Sequence, residues 1–382
     1  MKNSKTPEVR FAGFTGEWKE RRLGEIYTER KERGHQSLQI LSVSIHHGVS
    51  DEELDSNNLG KTVNRSEDKS LYKHVYFGDL VLNMMRAWQG AFGVVKSEGM
   101  VSPAYITANP SLEIHPLFMD YCLHRDEMIA QMNNLSYGVT DFRKRLYWKS
   151  FVNVLCHIPS VPEQETITAF FTRLDNTIAL YQQELNTFKQ IKHGFLQKIF
   201  SQEIRFKDGG SDFPKWEKQR LGEISNITTG KLDANAMVHN GQFRFYTCAK
   251  EFYFIDNYAF DTEALLISGN GNVGYIHYYN GKFNAYQRTY VLDKFCDNDI
   301  FYIKYYLEMN LKRRVFEGKN VGSMPYIVLS TLTGMEIQLP ALAEQKKIGA
   351  FFKKMDDAID LHHRELEALK ETKKAFLQKM FV

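Results

Sequence analysis

A stretch of 43 residues occurs twice in this chain of 382 residues. Residues 158–200 align with residues 339–381 without a gap, and 19 of the 43 positions are identical. A shorter repeat precedes each copy, since "EWKERRLGEI" at 17–26 recurs as "KWEKQRLGEI" at 215–224. Repeated segments of this length are expected to form the same supersecondary unit twice. The chain is therefore predicted to consist of two similar halves.

The segments between the repeats, 27–157 and 225–338, differ in length and show no obvious alignment. Each half thus has a constant beginning, a variable middle and a constant tail. We predict an α+β fold in which two mainly-β or mixed globular domains alternate with two long antiparallel coiled-coil helices, related by an internal pseudo-two-fold repeat. The predicted parts are a first domain at 1–157, a first helix region at 158–204, a second domain at 205–338 and a second helix region at 339–382.

Each tail is predicted to be one long helix with Glu163 or Glu344 in its first turn, where the helix dipole favours acidic residues. Apolar residues recur at steps of four and three over about five heptads, interrupted by Lys192 and Lys373 at equivalent places. Two such seams in one chain are expected to pack on each other, although each helix could instead pack only on its own domain. The predicted seam residues are Phe171, Leu174, Ile178, Leu185, Phe188, Phe352, Met355, Ile359, Leu366 and Leu369.

A second apolar set lies off the seam, and it requires a second surface to cover it. Because most of it occurs in both copies, two copies of one partner could dock equivalently. Burial against the globular domains would also explain it. The set comprises Phe170, Leu180, Ile191, Leu196, Phe351, Leu361 and Leu377.

The stretch 264–283 contains Gly269, Gly271 and Gly274 in the spacing G-x-G-x-x-G, which is typical of a dinucleotide-binding loop. Such a loop must be followed by a helix, whose N-terminus holds the pyrophosphate. Here β-branched and aromatic residues follow, ending at Asn280-Gly281, a pair typical of hairpin turns. The glycines are therefore predicted to join two strands, and the first middle has a loop at 85–93 in the same order of strands and turns.

A polar, basic loop follows a short helical region late in each middle, at 136–148 and at 318–327. Such side chains are suited to phosphates, although a solvated surface is the alternative. The candidates are Arg143, Lys144, Arg145, Lys319 and Ser323.

The net charge of +3 does not by itself indicate a nucleic-acid partner. The four cysteines form no C-x-x-C pair, and neither a signal peptide nor a run of about 18 apolar residues is present. We predict a soluble, intracellular protein.

Motifs of catalysis are incomplete or missing. Residues 60–62 resemble the end of a P-loop, but Asp55 stands where that motif requires glycine. The pairs His46-His47 and His362-His363 lack cysteine or carboxylate neighbours at ligand spacing, so no metal is predicted. The chain is not expected to be an enzyme.

Taken together, the repeated "LGEI", the junctions "PEQ" and "AEQ", the segments "AFFTRLD" and "AFFKKMD" and the endings "FLQKIF" and "FLQKMF" resemble the specificity subunit of type I restriction-modification systems. The resemblance covers nearly the whole chain. It implies two target recognition domains that each read half of a bipartite DNA site, and two helices that set the spacing. It also implies two docked methyltransferase subunits that methylate adenine N6, restriction subunits bound through them, and a cytoplasmic location.

In that family the specificity subunit is not catalytic, so no cofactor is expected in this chain. The partner subunits are expected to hold S-adenosylmethionine and, for restriction, ATP and Mg²⁺.

A helix of about 38 residues would be about 55 Å long and would span about 16 base pairs, which leaves room for two half-sites one helical turn apart. DNA binding by the isolated chain is expected to be weak and salt-sensitive. The candidate base contacts are Arg86, Trp88, Gln89, Asn270, Asn272, Gln287 and Arg288.

Two other classes of protein remain as alternatives. One is a coiled-coil scaffold whose globular ends bind proteins and have no DNA role. The other is a stand-alone enzyme, which the missing motifs disfavour.

Overall fold

The computed structural model describes residues 5–45, 48–50, 69–140, 143–316 and 325–382. Contacts divide the chain into two compact units. Unit 1 consists of residues 1–180 and 366–382, and unit 2 consists of residues 181–365. Each unit therefore contains one globular domain together with a part of each long helix.

Unit 1 contains a mixed α/β domain. Its strands are β1 (Lys19–Arg22), β2 (Tyr27–Glu29), β3 (Val43–Ser44), β4 (Gly48–Val49), β5 (Lys73–Val75), β6 (Leu80–Asn83), β7 (Phe92–Val94), β8 (Gly99–Val101), β9 (Tyr105–Pro110) and β10 (Leu155–Ile158). Its helices are α1 (Leu23–Ile26), α2 (Pro116–Leu123), α3 (Asp126–Leu135) and α4 (Trp148–Phe151), followed by the first long helix, α5 (Val161–Phe200), which continues into unit 2.

Unit 2 contains the second domain. Its strands are β11 (Lys207–Asp208), β12 (Ser211–Asp212), β13 (Glu217–Arg220), β14 (Asn226–Thr229), β15 (Phe243–Tyr246), β16 (Tyr253–Ile255), β17 (Phe260–Ser268), β18 (Ile276–Ala285), β19 (Thr289–Asp293) and β20 (Glu336–Leu339). Its helices are α6 (Leu221–Ile224), α7 (Ile300–Phe316) and α8 (Leu329–Thr333), followed by the second long helix, α9 (Leu342–Lys379).

The duplication extends into the two middles. The main sheet of unit 1 has the strand order β2-β9-β6-β7, and that of unit 2 has the order β14-β19-β17-β18-β15-β16. The first four strands of the second sheet occupy the places of the four strands of the first. In both units the first of these strands follows an "LGEI" helix, and the third and fourth form a hairpin. The predicted α+β class with repeated domains is confirmed.

One local prediction is wrong. Asn280-Gly281 does not form a hairpin turn, because both residues lie inside β18. Glu263 pairs with Asn280 and Thr262 with Gly281, and the pairing with β17 continues on both sides. A long partner strand overrides the turn tendency of the dipeptide, and glycine tolerates the φ of 134° found at Gly281.

Within each unit the two long helices pack antiparallel. In unit 1, Phe170 meets Phe376 with ring centroids 5.1 Å apart, and Asp175 pairs with Lys373 at 2.5 Å. In unit 2, Phe188 contacts His362, Lys192 pairs with Asp356, and Phe195 contacts Phe351. The numbers rise on one helix as they fall on the other, as antiparallel pairing requires. All ten predicted seam residues are buried or half-buried.

The two lysines that interrupt the seam belong to clusters that share an equivalent set of lysine, aspartate and tyrosine. In unit 1, Asp175 accepts a hydrogen bond from Tyr121 of α2 at 2.8 Å in addition to its ion pair with Lys373. In unit 2, Lys192 lies 2.5 Å from Asp356, which accepts a hydrogen bond from Tyr305 of α7 at 2.7 Å. Each cluster therefore joins both long helices to the globular domain of its unit.

The glutamine of each "EQ" motif also ties a long helix to its domain. Gln164 Oε1 accepts the backbone N–H of His115 at 2.8 Å, just before α2. Gln345 Oε1 accepts the backbone N–H of Asp299 at 3.0 Å, just before α7. Both side chains are buried, so these bonds satisfy polar groups that water does not reach. The repeated motif thus serves packing in both units.

Candidate nucleic-acid interface

Hairpin loop 1 (residues 84–91) joins β6 to β7 in unit 1. A 3-10 turn, Ala87–Gln89, holds its shape, and Gly90 closes that turn with a φ of 96°. Arg86 and Gln89 are exposed, whereas Trp88 is half-buried and donates its indole N–H to the carbonyl of Met85 at 3.0 Å. The turn therefore presents a guanidinium and an amide to solvent from a fixed backbone.

The described part of the basic loop of unit 1 (residues 136–140 and 143–147) packs on hairpin loop 1. The backbone N–H of Leu146 donates to the carbonyl of Met84 at 2.9 Å, and Lys144 Nζ lies 5.0 Å from the centroid of the Trp88 ring. Arg143 is exposed, and Arg145 is half-buried with an Nη1 that has no hydrogen-bond partner among the described residues. The structure thus brings the predicted residues Arg86, Trp88, Gln89 and Arg143–Arg145 to neighbouring loops.

Two tyrosines beside these loops were not among the residues predicted from the sequence. Tyr137 and Tyr147 stack with ring centroids 4.8 Å apart, and 58% and 37% of their surfaces are exposed. Reciprocal backbone hydrogen bonds between Tyr137 and Arg145, both 3.1 Å long, hold this part of the basic loop together. The available signal was the pair of aromatic residues that flanks "FRKRL" in the basic loop.

Hairpin loop 2 (residues 269–275) joins β17 to β18 in unit 2 and contains the G-x-G-x-x-G spacing. Gly271 and Gly274 have φ values of 62° and 75°, which glycine adopts easily. A Cβ at Gly269 would lie 2.5 Å from the carbonyl oxygen of Arg288. The glycines are therefore explained by a tight strand-to-strand loop, and the prediction that no helix follows them is confirmed.

Two other segments of unit 2, one at Cys248 and one at Arg288, contact hairpin loop 2. Asn272 donates its side-chain N–H to the carbonyl of Cys248 at 3.0 Å, and Gly269 N–H donates to the carbonyl of Arg288 at 2.9 Å. Gln287 and Arg288 are exposed in the turn between β18 and β19, and Asn270 is half-buried. The four predicted residues Asn270, Asn272, Gln287 and Arg288 thus lie on adjoining segments, whereas Lys319 and Ser323 lie outside the described residues.

The predicted partner surface is narrower than the sequence pattern indicated. Leu180 and Leu361, at equivalent repeat positions, are 53% and 56% exposed, and Ile191 is 43% exposed. The other four residues are covered within their own units, because the domains pack against that side of the helices. These are Phe170, Leu196, Phe351 and Leu377.

In the described ranges, no group of three or more histidine, cysteine or acidic side chains is placed to hold a metal ion. His362 instead lies against Phe188, with ring centroids 4.9 Å apart. Burial raises the pKa of the Cys122 and Cys156 thiols, which keeps both protonated. No helix in the described part of the chain is long and apolar enough to cross a membrane.

The fold is that of a type I restriction-modification S subunit. The crystal structure of the S subunit from M. genitalium superposes with a TM-score of 0.66 at 15% identity, covering 99% of both chains. A chain from a structure titled for complex assembly and conformational transition of the type I R-M system gives a TM-score of 0.55 at 18% identity, covering 95% of this chain and 97% of that one.

The sequence comparisons find matches of the same kind over part of the chain. Residues 214–371 match the family model described as Type I restriction modification DNA specificity domain. The EcoDI specificity subunit of Escherichia coli is 37% identical over 163 residues, which is 43% of this chain and 36% of that protein. The chain therefore carries a type I DNA specificity domain, and the resemblance drawn from the repeated motifs is confirmed.

Proposed function

We propose that this chain is the non-catalytic DNA specificity subunit of a type I restriction-modification complex, and that each unit reads one half of a bipartite site. The observation that carries the proposal is the equivalence of hairpin loops 1 and 2. They occupy the same place in the same order of four strands, yet they present different side chains. Two different half-sites would require two such different loops on one repeated frame.

The exposed side chains suit direct readout of bases in the major groove. An arginine can donate two hydrogen bonds to guanine O6 and N7, and asparagine or glutamine can bond adenine N6 and N7. Arg86 and Gln89 offer these groups in unit 1, as Asn270, Gln287 and Arg288 do in unit 2. The side chain of Asn272 already donates to a protein carbonyl, so its remaining acceptor and the loop backbone would face the DNA.

Arg143 and Lys144 are placed beside hairpin loop 1, where they would neutralise DNA phosphates and orient unit 1. The whole chain nevertheless carries a net charge of only +3. We therefore expect the partner subunits to supply much of the phosphate attraction. Binding by the isolated chain would be weak and would fall steeply as salt rises.

We place the docking of two methyltransferase subunits on the long helices. Leu180 and Leu361 are exposed aliphatic side chains at the same repeat position, one in each unit, so two copies of one partner could bind each in the same way. Restriction subunits would join through them. S-adenosylmethionine for adenine N6 methylation, and ATP with Mg²⁺ for restriction, would be held by those partners.

The experiment that tests this function is single-molecule sequencing of genomic DNA from source cells with and without the gene. Loss of one bipartite N6-methyladenine motif on deletion, restored by the gene supplied in trans, is the expected result. An unchanged methylome, together with no copurifying methyltransferase, would support the coiled-coil scaffold instead. A copurifying methyltransferase with an unchanged methylome would indicate a silent restriction-modification system.

A further inference from the structure

Arg244 of β15 is held between two aromatic rings in unit 2. Its guanidinium carbon lies 4.3 Å from the centroid of Phe252 and 4.6 Å from that of Tyr279. Its Nη1 donates to the hydroxyl of Tyr246 at 3.3 Å. No carboxylate in the described part of the chain pairs with Arg244, so most of its N–H donors are left for another acceptor.

The rings around Arg244 form part of a row that begins at hairpin loop 2. Tyr275, at the end of that loop, lies 4.8 Å from His277, which lies 5.0 Å from Tyr246, ring centroid to centroid. Tyr246 in turn lies 5.7 Å from Tyr279. Tyr279 lies four positions beyond Tyr275, a span of about 13 Å along the extended chain. Because the Arg244 guanidinium lies beside the Tyr279 ring, this charged group is on the order of 13 Å from the end of the loop.

Arg244 is the fixed positive charge of this row. Burial lowers the pKa of His277, so its imidazole is neutral at pH 7. Contacts with the Phe252 and Tyr279 rings and with the Tyr246 hydroxyl restrict the Arg244 side chain, so little side-chain entropy would be lost when it binds an anion. A preformed, unpaired guanidinium of this kind is suited to a phosphate oxygen.

Resting on the proposed function, we propose that Arg244 binds a DNA backbone phosphate beside the half-site read by unit 2. A major groove is about 12 Å wide. With hairpin loop 2 at the base edges, a group about 13 Å away would reach the sugar-phosphate backbone bordering the groove. Strand β15, which carries Arg244, and its neighbour β16 have no counterpart in the sheet of unit 1 among its described residues, so the contact belongs to one half-site only.

The test uses the full chain assembled with its methyltransferase subunits and a duplex containing the methylated motif. Binding is measured at several salt concentrations. Arg244→Ala is expected to weaken binding roughly ten-fold at low salt and to make the slope of log affinity against log salt shallower by about 0.9. The methylated motif should stay unchanged, because a phosphate contact does not read bases.

Two further variants separate charge from geometry. Arg244→Lys keeps the charge and should keep the salt slope, while losing part of the affinity because an ammonium does not stack between the rings. Lys218→Ala removes one charge elsewhere in unit 2, where Lys218 pairs with Glu336 at 3.5 Å, and should leave both affinity and slope unchanged.

An unchanged slope for Arg244→Ala would overturn the proposal, and so would a motif relaxed in the second half-site, which would make Arg244 a base reader. If the wild-type complex bound no DNA motif at all, the proposed function itself would fail, and that outcome differs from both. Thermal unfolding of each variant shows whether it still folds. If Arg244→Ala does not fold, the affinity and salt slope of Arg244→Lys test the proposal instead.

Discussion

Arg10 and Glu163 form a two-point ion pair in unit 1, with Arg10 Nε 2.7 Å from Oε1 and Nη2 2.7 Å from Oε2. Arg205 and Glu344 form the equivalent pair in unit 2, at 3.2 Å and 2.6 Å. In each case the carboxylate lies in the first turn of a long helix, and the arginine precedes the repeated tryptophan motif. The glutamate predicted from helix-dipole reasoning therefore also holds a second segment against the helix.

Removing the arginine of the ion pair is predicted to destabilise unit 1 more than unit 2. Arg10→Ala leaves the Glu163 carboxylate, 2% exposed, without its partner, which costs about 3–5 kcal/mol. Arg205→Ala should cost less, because Glu344 keeps a hydrogen bond from Trp216 Nε1 at 3.2 Å. Hydrogen–deuterium exchange measured separately over each unit checks this, and equal deprotection in the two variants would contradict it.

The glycines of the repeated "LGEI" are predicted to be intolerant of a methyl group. A Cβ at Gly24 would lie 2.7 Å from Val152 Cβ, and one at Gly222 would lie 2.9 Å from Thr333 Cβ. Either Gly→Ala change should destabilise its unit by about 1–3 kcal/mol through overpacking. Gly194→Ala is the matched control, since it meets nothing within 4 Å in a helix and should stabilise by about 0.5–1 kcal/mol. Thermal or urea unfolding measures both the expected loss of stability and the expected gain.

Acidification is predicted to weaken the Lys192–Asp356 cluster. Burial alone would raise the pKa of Asp356, but Lys304 and Lys192 outweigh it and lower that pKa below its usual value. A carboxyl with a depressed folded-state pKa contributes stability above its unfolded pKa of about 4 and loses it as pH falls through the folded value. Asp356→Asn should therefore flatten the dependence of unit 2 stability on pH below about 4. An unchanged pH profile in that variant would argue against the cluster as its source.

Changes in the two hairpin loops are predicted to affect separate half-sites. Arg86→Ala should relax the first half of the methylation motif and leave the second half as it was. Arg288→Ala should do the reverse, because the Arg288 carbonyl accepts the backbone N–H of Gly269 and so fixes residue 288 beside hairpin loop 2. Losing a two-point base contact costs about 1–3 kcal/mol of discrimination, which is large enough to appear as degenerate bases in a methylome. Relaxation of both halves by one substitution would count against separate readers.

Removal of the Phe381 ring is predicted to destabilise unit 1. Phe381 is 5% exposed and lies 5.3 Å from Phe118 and 6.0 Å from Trp18, ring centroid to centroid. Phe381→Ala should cost about 3–5 kcal/mol. Leu377→Ala is the control, because it removes a partly buried neighbour in the same core and should cost less. Limited proteolysis of unit 1 ranks the two variants, and greater protection in Phe381→Ala than in Leu377→Ala would contradict the prediction.

The repeated frame could be predicted because periodicity and identity are properties of the sequence itself. The seam through Phe171 and Phe352, and the two hairpin loops, follow from spacing and turn residues. Periodicity shows that an apolar side chain needs cover, but it does not show which surface supplies that cover. The sequence therefore could not distinguish packing of Phe170 and Leu196 on the globular domains from packing on a partner protein. Arg244 was missed because its rings come from segments next to β16 and within β18, which only tertiary pairing brings together.

The end of α5 completes the core of unit 2, and the residues that follow α9 complete the core of unit 1. Phe200 packs against Trp216 and Tyr302 in unit 2, whereas Phe381 packs against Trp18 in unit 1. A ribosome makes residues 366–382 only after all of unit 2. Of the two domains, the one that is translated earlier is thus the one whose core is completed later.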